Sequence, residues 1–230
     1  MKYKHIFFDL DRTLWDFERN ATETLREIFS KYKLHLLFES FDSFLHIYKQ
    51  INDNLWALYR ENKLTKEILR YKRFSDTLKV VGYEDEELAR KIGDDYVYNG
   101  PKQKNLFPGA HEILNYLVDK KYNLYIITNG FKEVQRVKLE NTGLIKYFKD
   151  IFISEEIGFQ KPNPEIFRFV LSKINAKPAE CLMIGDDPDV DIACAANMGI
   201  DQVLYNTTGK QKIVKPTYEI KQLIDLKEIL

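Results

Sequence analysis

The chain has little cysteine and no excess of charge of either sign, and each shortage excludes a class of protein. Two cysteines, Cys181 and Cys194, cannot build a disulfide-rich scaffold, and their apolar neighbours predict buried free thiols. The four histidines are scattered, which argues against a zinc site. Lys plus Arg and Asp plus Glu number 35 each, so no net charge attracts the chain to nucleic acid or to a membrane surface.

Long apolar runs are also missing. None approaches the roughly 18 residues that a membrane-spanning helix needs. The N-terminal apolar run is interrupted by Asp9 and Asp11 and shows no signal-peptide cleavage pattern. We therefore expect a cytoplasmic protein with no membrane or polynucleotide partner, acting as a monomer or homodimer.

Proline is absent from the first 100 residues, and only two glycines precede Gly100. From about residue 17 to 99, apolar residues recur at helical spacing, as in Leu25, Ile28 and Phe29, which predicts a block of about four helices. Turn residues then cluster at 99–101 and 107–109, where the pattern changes. We predict an α/β core formed by residues 1–15 and 100–230, with residues 16–99 inserted as an α-helical bundle that acts as a cap domain.

The core region alternates short apolar strands with helices. The predicted strands are His5–Asp9, Asn123–Thr128, Asp150–Ser154, Cys181–Gly185 and Gln202–Tyr205. The predicted helices are Phe131–Asn141, Pro164–Ile174 and Val190–Met198. This alternation predicts a Rossmann-like, mostly parallel sheet covered by helices on both faces.

Polar side chains follow four of these strands. In parallel sheets, ligands bind beyond the carboxyl ends of the strands, so these side chains are the candidates for chemistry. They are Asp9 and Asp11, Thr128 and Asn129, Ser154, and Asp186 and Asp187.

Asp9 and Asp11 stand two positions apart on an extended segment, so their side chains point the same way. Two neighbouring carboxylates favour one ionised and one protonated group, which suits a nucleophile and a general acid. Asp9 would attack phosphorus, while Asp11 would protonate the leaving oxygen and later deprotonate water. The alternative is an ordinary Asp-rich turn after a strand.

A second acidic stretch, Gly185 to Asp191, follows another apolar strand. Asp186 is placed to complete a Mg²⁺ site with Asp9, because Mg²⁺ prefers carboxylate oxygens and retained waters. Asp191 could orient a lysine or a metal-bound water. The alternative is that these aspartates only complement a helix N-terminus. A calcium loop is excluded, because Ile192 occupies the position where it needs glycine.

Two further segments could bind phosphate. Thr128, Asn129 and Gly130 lie between a strand and a helix and offer a hydroxyl, an amide and backbone N–H groups. Lys161 lies beside Pro162 in a loop and could supply the fixed cation that phosphoryl transfer needs, unless it is a solvent lysine. No dinucleotide-binding glycine pattern, P-loop or nucleophile elbow occurs.

Four ordered motifs together resemble the haloacid dehalogenase superfamily. The motifs are Asp9-x-Asp11-x-Thr13, Thr128, Lys161-Pro162 and Gly185-Asp186-x-x-x-x-Asp191. The resemblance implies Asp9 as nucleophile and Asp11 as acid/base, with Thr128 and Lys161 on the phosphoryl group. It also implies Mg²⁺ held by Asp9, the backbone carbonyl of Asp11 and Asp186, and a helical cap that closes over the site.

Further stretches, including Leu14–Phe17 and Ser154–Pro162, look similar to the YjjG/YfnB-type pyrimidine 5′-nucleotidases of that superfamily. This resemblance implies a phosphatase for nucleoside 5′-monophosphates. The chain departs from the superfamily pattern at Arg12, where many members have glycine, and at Asp187-Pro188. Residues that could contact the substrate are Trp15, Phe17, Trp56, Arg73, Arg70 and Lys72. The alternative for the aromatic residues, above all Trp56, is that they form the core of the cap.

Other functions stay open at this point. A sugar-phosphate phosphatase or phosphomutase shares all four motifs. A true dehalogenase would need neither Mg²⁺ nor Asp11, so the presence of Asp11 argues against this function. A degenerate phosphate- or Mg²⁺-binding protein would be expected to have lost a motif, and none of the four is lost. The expected substrate is therefore a small phosphorylated metabolite.

Overall fold

The computed structural model describes residues 2–61, 63–207, 209 and 214–230. The chain forms two compact units. One comprises Met1–Phe17 and Lys104–Leu230 and is called the sheet unit below. The other comprises Glu18–Gln103 and is called the helical unit.

The helical unit is built from four long helices within the described ranges. They are α1 (Phe17–Lys31, whose first residue belongs to the sheet unit), α2 (Phe41–Arg60), α3 (Lys66–Val80) and α4 (Glu86–Asn99). The side chains of Ser40, Thr65 and Asp85 cap the N-termini of α2, α3 and α4. Aromatic residues dominate the buried core of this unit, as in the stacked rings of Tyr48 and Phe74. No helix within the described ranges is long and apolar enough to span a membrane.

The sheet unit contains a six-stranded sheet in the order β3-β2-β1-β4-β5-β6. The strands are β1 (His5–Phe8), β2 (Asn123–Thr128), β3 (Asp150–Ile153), β4 (Cys181–Gly185), β5 (Asp201–Tyr205) and β6 (Tyr218–Ile220). Every neighbouring pair is parallel. His5 lies opposite Asn123 on one side and Cys181 on the other, so β1 occupies the middle of the sheet. All carboxyl ends therefore meet at one edge.

Apolar side chains cover both faces of this sheet because successive residues of a strand point to opposite sides. On β1, Ile6 and Phe8 enter one core layer and Phe7 enters the other. The helices of the unit are α5 (Ala110–Asp119), α6 (Lys132–Asn141), α7 (Ser154–Ile157), α8 (Glu165–Ile174) and α9 (Cys194–Ala196). Helices α5 and α6 contribute to the first layer, and α8 and α9 to the second.

The predicted fold class, an α/β core with a parallel Rossmann-like sheet and an inserted helical bundle, is confirmed. Both cysteines are free and buried, as predicted. Strand β6 and helix α5 were not predicted. The predicted helix Val190–Met198 instead begins as a π-helix at Pro188–Ala193 and continues as α9.

Candidate active site

The first strand runs directly into the candidate nucleophile. The backbone N–H of Asp9 donates to the carbonyl of Ile184 at 2.9 Å, so Asp9 extends the pairing of β1 with β4. The chain then turns, and the Leu10 carbonyl accepts the N–H of Trp15 at 2.9 Å. Arg12 has a φ of 67°, in the left-handed region that favours glycine. Glycine adopts a positive φ without strain, and for this reason glycine would suit the position that Arg12 occupies.

Lys161 connects Asp9 to the end of β2 and to the π-helix that follows β4. Its ammonium donates to Asp9 Oδ1 at 2.7 Å, to Asp191 Oδ1 at 2.6 Å and to the Ile127 carbonyl at 2.8 Å. The side chain is 1% exposed, so it is not a solvent lysine. Three acceptors match the three donors of an ammonium group. Lys161 is therefore held in a single position beside the Asp9 carboxylate.

The Asn129 side chain positions this lysine. Its Nδ2 donates to the Lys161 carbonyl at 2.7 Å, and its Oδ1 accepts the Lys161 N–H at 2.9 Å. The amide thus joins the loop after β2 to the loop that carries Lys161. Sequence reasoning assigned Asn129 to phosphate binding. In the structure its side chain binds backbone through Oδ1 and one Nδ2 hydrogen, so the second Nδ2 hydrogen and the main-chain N–H are the donors that a phosphate could use.

The Asp191 carboxylate is enclosed behind β4. It is 1% exposed, and its Oδ2 accepts the backbone N–H of Asp187 at 3.2 Å. Asp187 caps the π-helix by accepting the N–H groups of Asp189 at 3.0 Å and Val190 at 2.9 Å. The acidic stretch therefore includes one helix cap, Asp187, and one partner of Lys161, Asp191.

The site contains more negative than positive charge. Carboxylate oxygens of Asp9, Asp186 and Asp191 lie within 4.8 Å of one another, and Lys161 contacts two of these residues. Burial raises the pKa of Asp9, the Lys161 ammonium opposes this rise, and the Asp191 and Asp186 carboxylates add to it. Burial alone would lower the pKa of Lys161, but Asp191 and Asp9 outweigh it and raise that pKa. Three carboxylates facing one ammonium, with hard oxygen donors close together, fit a divalent cation such as Mg²⁺.

Thr128 ends β2 with its hydroxyl already accepting two hydrogen bonds. The donors are the Gly130 N–H at 3.1 Å and Gln135 Nε2 at 2.6 Å. A hydroxyl has two lone pairs and one proton. Because both lone pairs are used, the O–H of Thr128 is available as a donor, which suits an anionic oxygen.

Asp11 is held by two side chains of α6 that sequence reasoning missed. Gln135 Nε2 donates to Asp11 Oδ2 at 2.9 Å, and Lys138 Nζ donates to Asp11 Oδ1 at 2.6 Å. Burial lowers the pKa of Lys138, and the Asp11 carboxylate opposes this change. A sequence pattern could have indicated both residues: counting from buried Phe131, positions i+4 and i+7 fall on the buried stripe of the helix yet carry Gln and Lys.

The predicted substrate contacts fall into two groups. Trp15 is 2% exposed with the Lys138 ammonium 4.2 Å from the centre of its ring, so it belongs to the core and not to a base-stacking surface. Arg73 is buried inside the helical unit, 4.6 Å from the Tyr96 ring and 3.4 Å from Asn52 Oδ1, which corrects its assignment to a substrate edge. Phe17 and Trp56 are only partly buried.

Lys72, also proposed from sequence as a substrate contact, pairs with Asp76 on its own helix at 2.8 Å. The guanidinium of Arg12 lies 4.3 Å from the Phe17 ring. Contact of Phe17 and Trp56 with the substrate stays a prediction, and both residues are partly buried.

Comparison with known proteins shows the family of this chain. The family model for haloacid dehalogenase-like hydrolases matches residues 3–199. The HAD-hydrolase YfnB of Bacillus subtilis strain 168 is 35% identical over the whole chain and 96% of its own length. The pyrimidine 5′-nucleotidase YjjG of Escherichia coli strain K12 is 31% identical over the whole chain and 99% of its own length.

A solved structure extends the comparison to the fold. The crystal structure of Bacillus subtilis YfnB bound to magnesium superposes with a TM-score of 0.89 at 33% identity, covering 100% of this chain and 99% of that one. The resemblance inferred from the four motifs is confirmed along the full chain. The protein belongs to the haloacid dehalogenase-like hydrolases and is an enzyme of that family.

Proposed function

We propose that this protein is a Mg²⁺-dependent phosphomonoesterase that hydrolyses nucleoside 5′-monophosphates through an aspartyl-phosphate on Asp9. The observation that carries the proposal is the buried Lys161 ammonium joined to Asp9 at 2.7 Å and to Asp191 at 2.6 Å. A nucleophilic carboxylate that approaches an anionic phosphate needs a fixed cation beside it. A merely structural lysine would not need to be placed at the end of the central strand.

Each polar residue has a distinct task in this reaction. The Asp9 carboxylate attacks phosphorus while the Asp11 carboxylic acid gives its proton to the leaving oxygen. The Asp11 carboxylate then takes a proton from water, whose oxygen attacks phosphorus and releases phosphate from Asp9. Thr128 donates its hydroxyl to a phosphoryl oxygen, and Lys161 stabilises negative charge beside Asp9.

The residues that would hold Mg²⁺ are Asp9, Asp186 and the backbone carbonyl of Asp11. Asp191 is less suited, because its oxygens already accept from Lys161 and from the Asp187 N–H. When bound, Mg²⁺ supplies positive charge that draws the phosphoryl group toward the carboxylates.

The substrate class rests on named relatives. YjjG and the PynA protein of Streptococcus pneumoniae, both 31% identical over the whole chain, are named pyrimidine 5′-nucleotidases. We assign catalysis to the sheet unit and substrate choice to the helical unit as a cap domain. Phe17 and Trp56 are the candidates for stacking on a base.

Replacing the nucleophile tests this mechanism. Asp9→Asn keeps the size of the side chain but removes the attacking charge, so hydrolysis of p-nitrophenyl phosphate is expected to fall at least about 1000-fold. Circular dichroism should show an unchanged fold. Asp150→Asn, which changes a carboxylate at the opposite end of the sheet, serves as the matched control and should retain full activity.

A panel of phosphorylated metabolites with detection of products tests the substrate class. Release of inorganic phosphate from pyrimidine nucleoside 5′-monophosphates supports the proposal. Conversion of a sugar phosphate to its isomer would show instead that the protein is a phosphomutase. Undiminished activity of Asp9→Asn would disprove the covalent mechanism.

A further inference from the structure

One helix holds both oxygens of the acid/base carboxylate. Gln135 and Lys138 stand three positions apart on α6, so their side chains leave the same face of the helix. Each donates to a different oxygen of Asp11, at 2.9 Å and 2.6 Å. Two donors on two oxygens fix both the position of the carboxylate and the rotation of its plane. We call this pair the α6 clamp.

The clamp residues are themselves fixed. Gln135 is fully buried, and its Nε2 also donates to Thr128 Oγ1 at 2.6 Å. Gly130 makes room for it, since a Cβ on Gly130 would lie 2.3 Å from the Gln135 amide. Lys138 is 5% exposed and its ammonium lies over the Trp15 ring. Asp11 is therefore held by donors that have little freedom to move.

Stability does not explain this arrangement. A buried ion pair can often be replaced by apolar residues of similar volume with little loss of stability. Leu139, four positions after Gln135 on α6, shows that the face of Gln135 also packs an ordinary apolar side chain against the core. Buried polar residues that break the apolar pattern of a helix are expected at functional sites.

Asp11 needs such support because it lies on a turn beyond the end of β1 and its side chain is 22% exposed. A carboxylate that is free to rotate would spend little time in the geometry for proton transfer. The clamp uses one lone pair on each oxygen, and a carboxylate has about four lone-pair sites. The remaining sites can face a substrate oxygen.

We propose that Gln135 and Lys138 are positioning residues that hold Asp11 for proton transfer to the leaving group, so that the enzyme can cleave alkyl phosphates. The inference rests on the proposed function. In the step concerned, the bond between phosphorus and the leaving oxygen breaks as the bond to Asp9 forms. The leaving oxygen receives the Asp11 proton, and Asp11 becomes a carboxylate in contact with both clamp donors.

The leaving group provides the test. A ribose alkoxide is strongly basic and needs a proton to depart, whereas p-nitrophenolate departs without one. The ratio kcat/KM reports events up to departure of the leaving group. For Lys138→Met, we expect kcat/KM for a nucleoside 5′-monophosphate to fall about 10- to 100-fold, and that for p-nitrophenyl phosphate to fall less than about threefold. Gln135→Leu also removes a donor from Thr128, so it should lower both values and lower the nucleotide value further.

Three controls separate positioning from damage to the fold. Lys132→Met alters an exposed lysine at the start of α6 and should leave kcat/KM unchanged for both substrates. Lys138→Arg keeps a cationic donor and should recover part of the alkyl activity. In an Asp11→Asn background, Lys138→Met should cause no further loss on the nucleotide, because the role proposed for Lys138 is exerted on Asp11.

The outcomes decide between the proposals. Equal losses on both substrates, or no loss on either, overturn the positioning role and leave the proposed function standing. If one clamp variant fails to fold, the other decides, because each should lower the nucleotide value more than the p-nitrophenyl phosphate value. A wild-type protein inactive on every phosphomonoester overturns both proposals.

Discussion

Two glycines at strand ends make room for polar side chains that reach across the site. A Cβ on Gly185 would lie 2.3 Å from Asp191 Oδ2, and one on Gly130 would lie 2.3 Å from the Gln135 amide. Neither glycine has a positive φ, so neither is required by its own backbone conformation. What these positions need is the absence of a side chain.

Gly185→Ala should therefore damage activity more than stability. The added methyl displaces the Asp191 carboxylate, which then no longer holds Lys161 beside Asp9. A misplacement of about 1 Å can reduce the rate about 100-fold, and a loss of that order in kcat is expected in steady-state assays.

Gly100→Ala is the control for that substitution, because its added Cβ meets nothing closer than 3.9 Å. It should leave kcat unchanged. Equal kcat values for Gly185→Ala and the wild type would show that Asp191 does not need its observed position.

At the scale of elements, the N-cap of the π-helix after β4 also orients a residue of the candidate active site. Asp187 accepts the first free N–H groups of the π-helix, and Asp191 lies one turn further along the same helix. The chain departs from the superfamily pattern at this Asp187-Pro188 step. Proline at the first helical position suits the fold, because its missing N–H would have no intrahelical acceptor.

Loss of this cap should affect activity as well as stability. Asp187→Ala is expected to lower the free energy of unfolding by about 1 kcal/mol and to lower kcat several-fold, because the helix start that orients Asp191 loosens. Asp187→Asn keeps an acceptor oxygen and should retain both properties. Urea unfolding and initial-rate assays measure the two effects.

A matched cap in the helical unit serves as the control. Asp85 accepts the Leu88 N–H at 2.8 Å at the start of α4. Asp85→Ala should lower stability by a similar amount while kcat stays constant. If Asp187→Ala also leaves kcat constant, the cap is only structural.

Much of this architecture could be predicted because each strand of the central sheet is a short apolar run that ends in polar residues. Carboxyl ends of parallel strands share an edge, which brings Asp9, Thr128 and Asp186 together. The buried stripe of α6 could have indicated Gln135 and Lys138 as unusual, but only tertiary packing shows that both of them meet Asp11. Strand β6 escaped prediction because it has only three residues and pairs on one side.

At the scale of the whole molecule, the excess of buried carboxylates should connect stability to divalent cations. With Asp9, Asp186 and Asp191 facing one ammonium, a bound Mg²⁺ removes repulsion that the apoprotein retains. A ligand at 100 times its Kd adds about 2.7 kcal/mol to the stability of the state that binds it. On the proposed Mg²⁺ dependence, the stability of the fold and catalysis would depend on the same ion.

Thermal unfolding with and without MgCl₂ checks this relation. For a chain of this size, the expected rise in Tm is about 5–10 °C at saturating Mg²⁺, reversed by EDTA. Asp186→Asn should lose most of the rise, while Asp150→Asn should keep it. An equal rise in wild type and Asp186→Asn would place the cation elsewhere.

The central position of β1 has a consequence for how the protein is made. This strand is synthesised long before its two partners, which begin at Asn123 and Cys181. At ribosomal speed, on the order of ten to thirty seconds pass before the second partner exists. During that time the nascent chain carries an unpaired apolar segment, while the contiguous helical unit, Glu18–Gln103, is already complete. The catalytic site is therefore among the last parts of the enzyme to assemble.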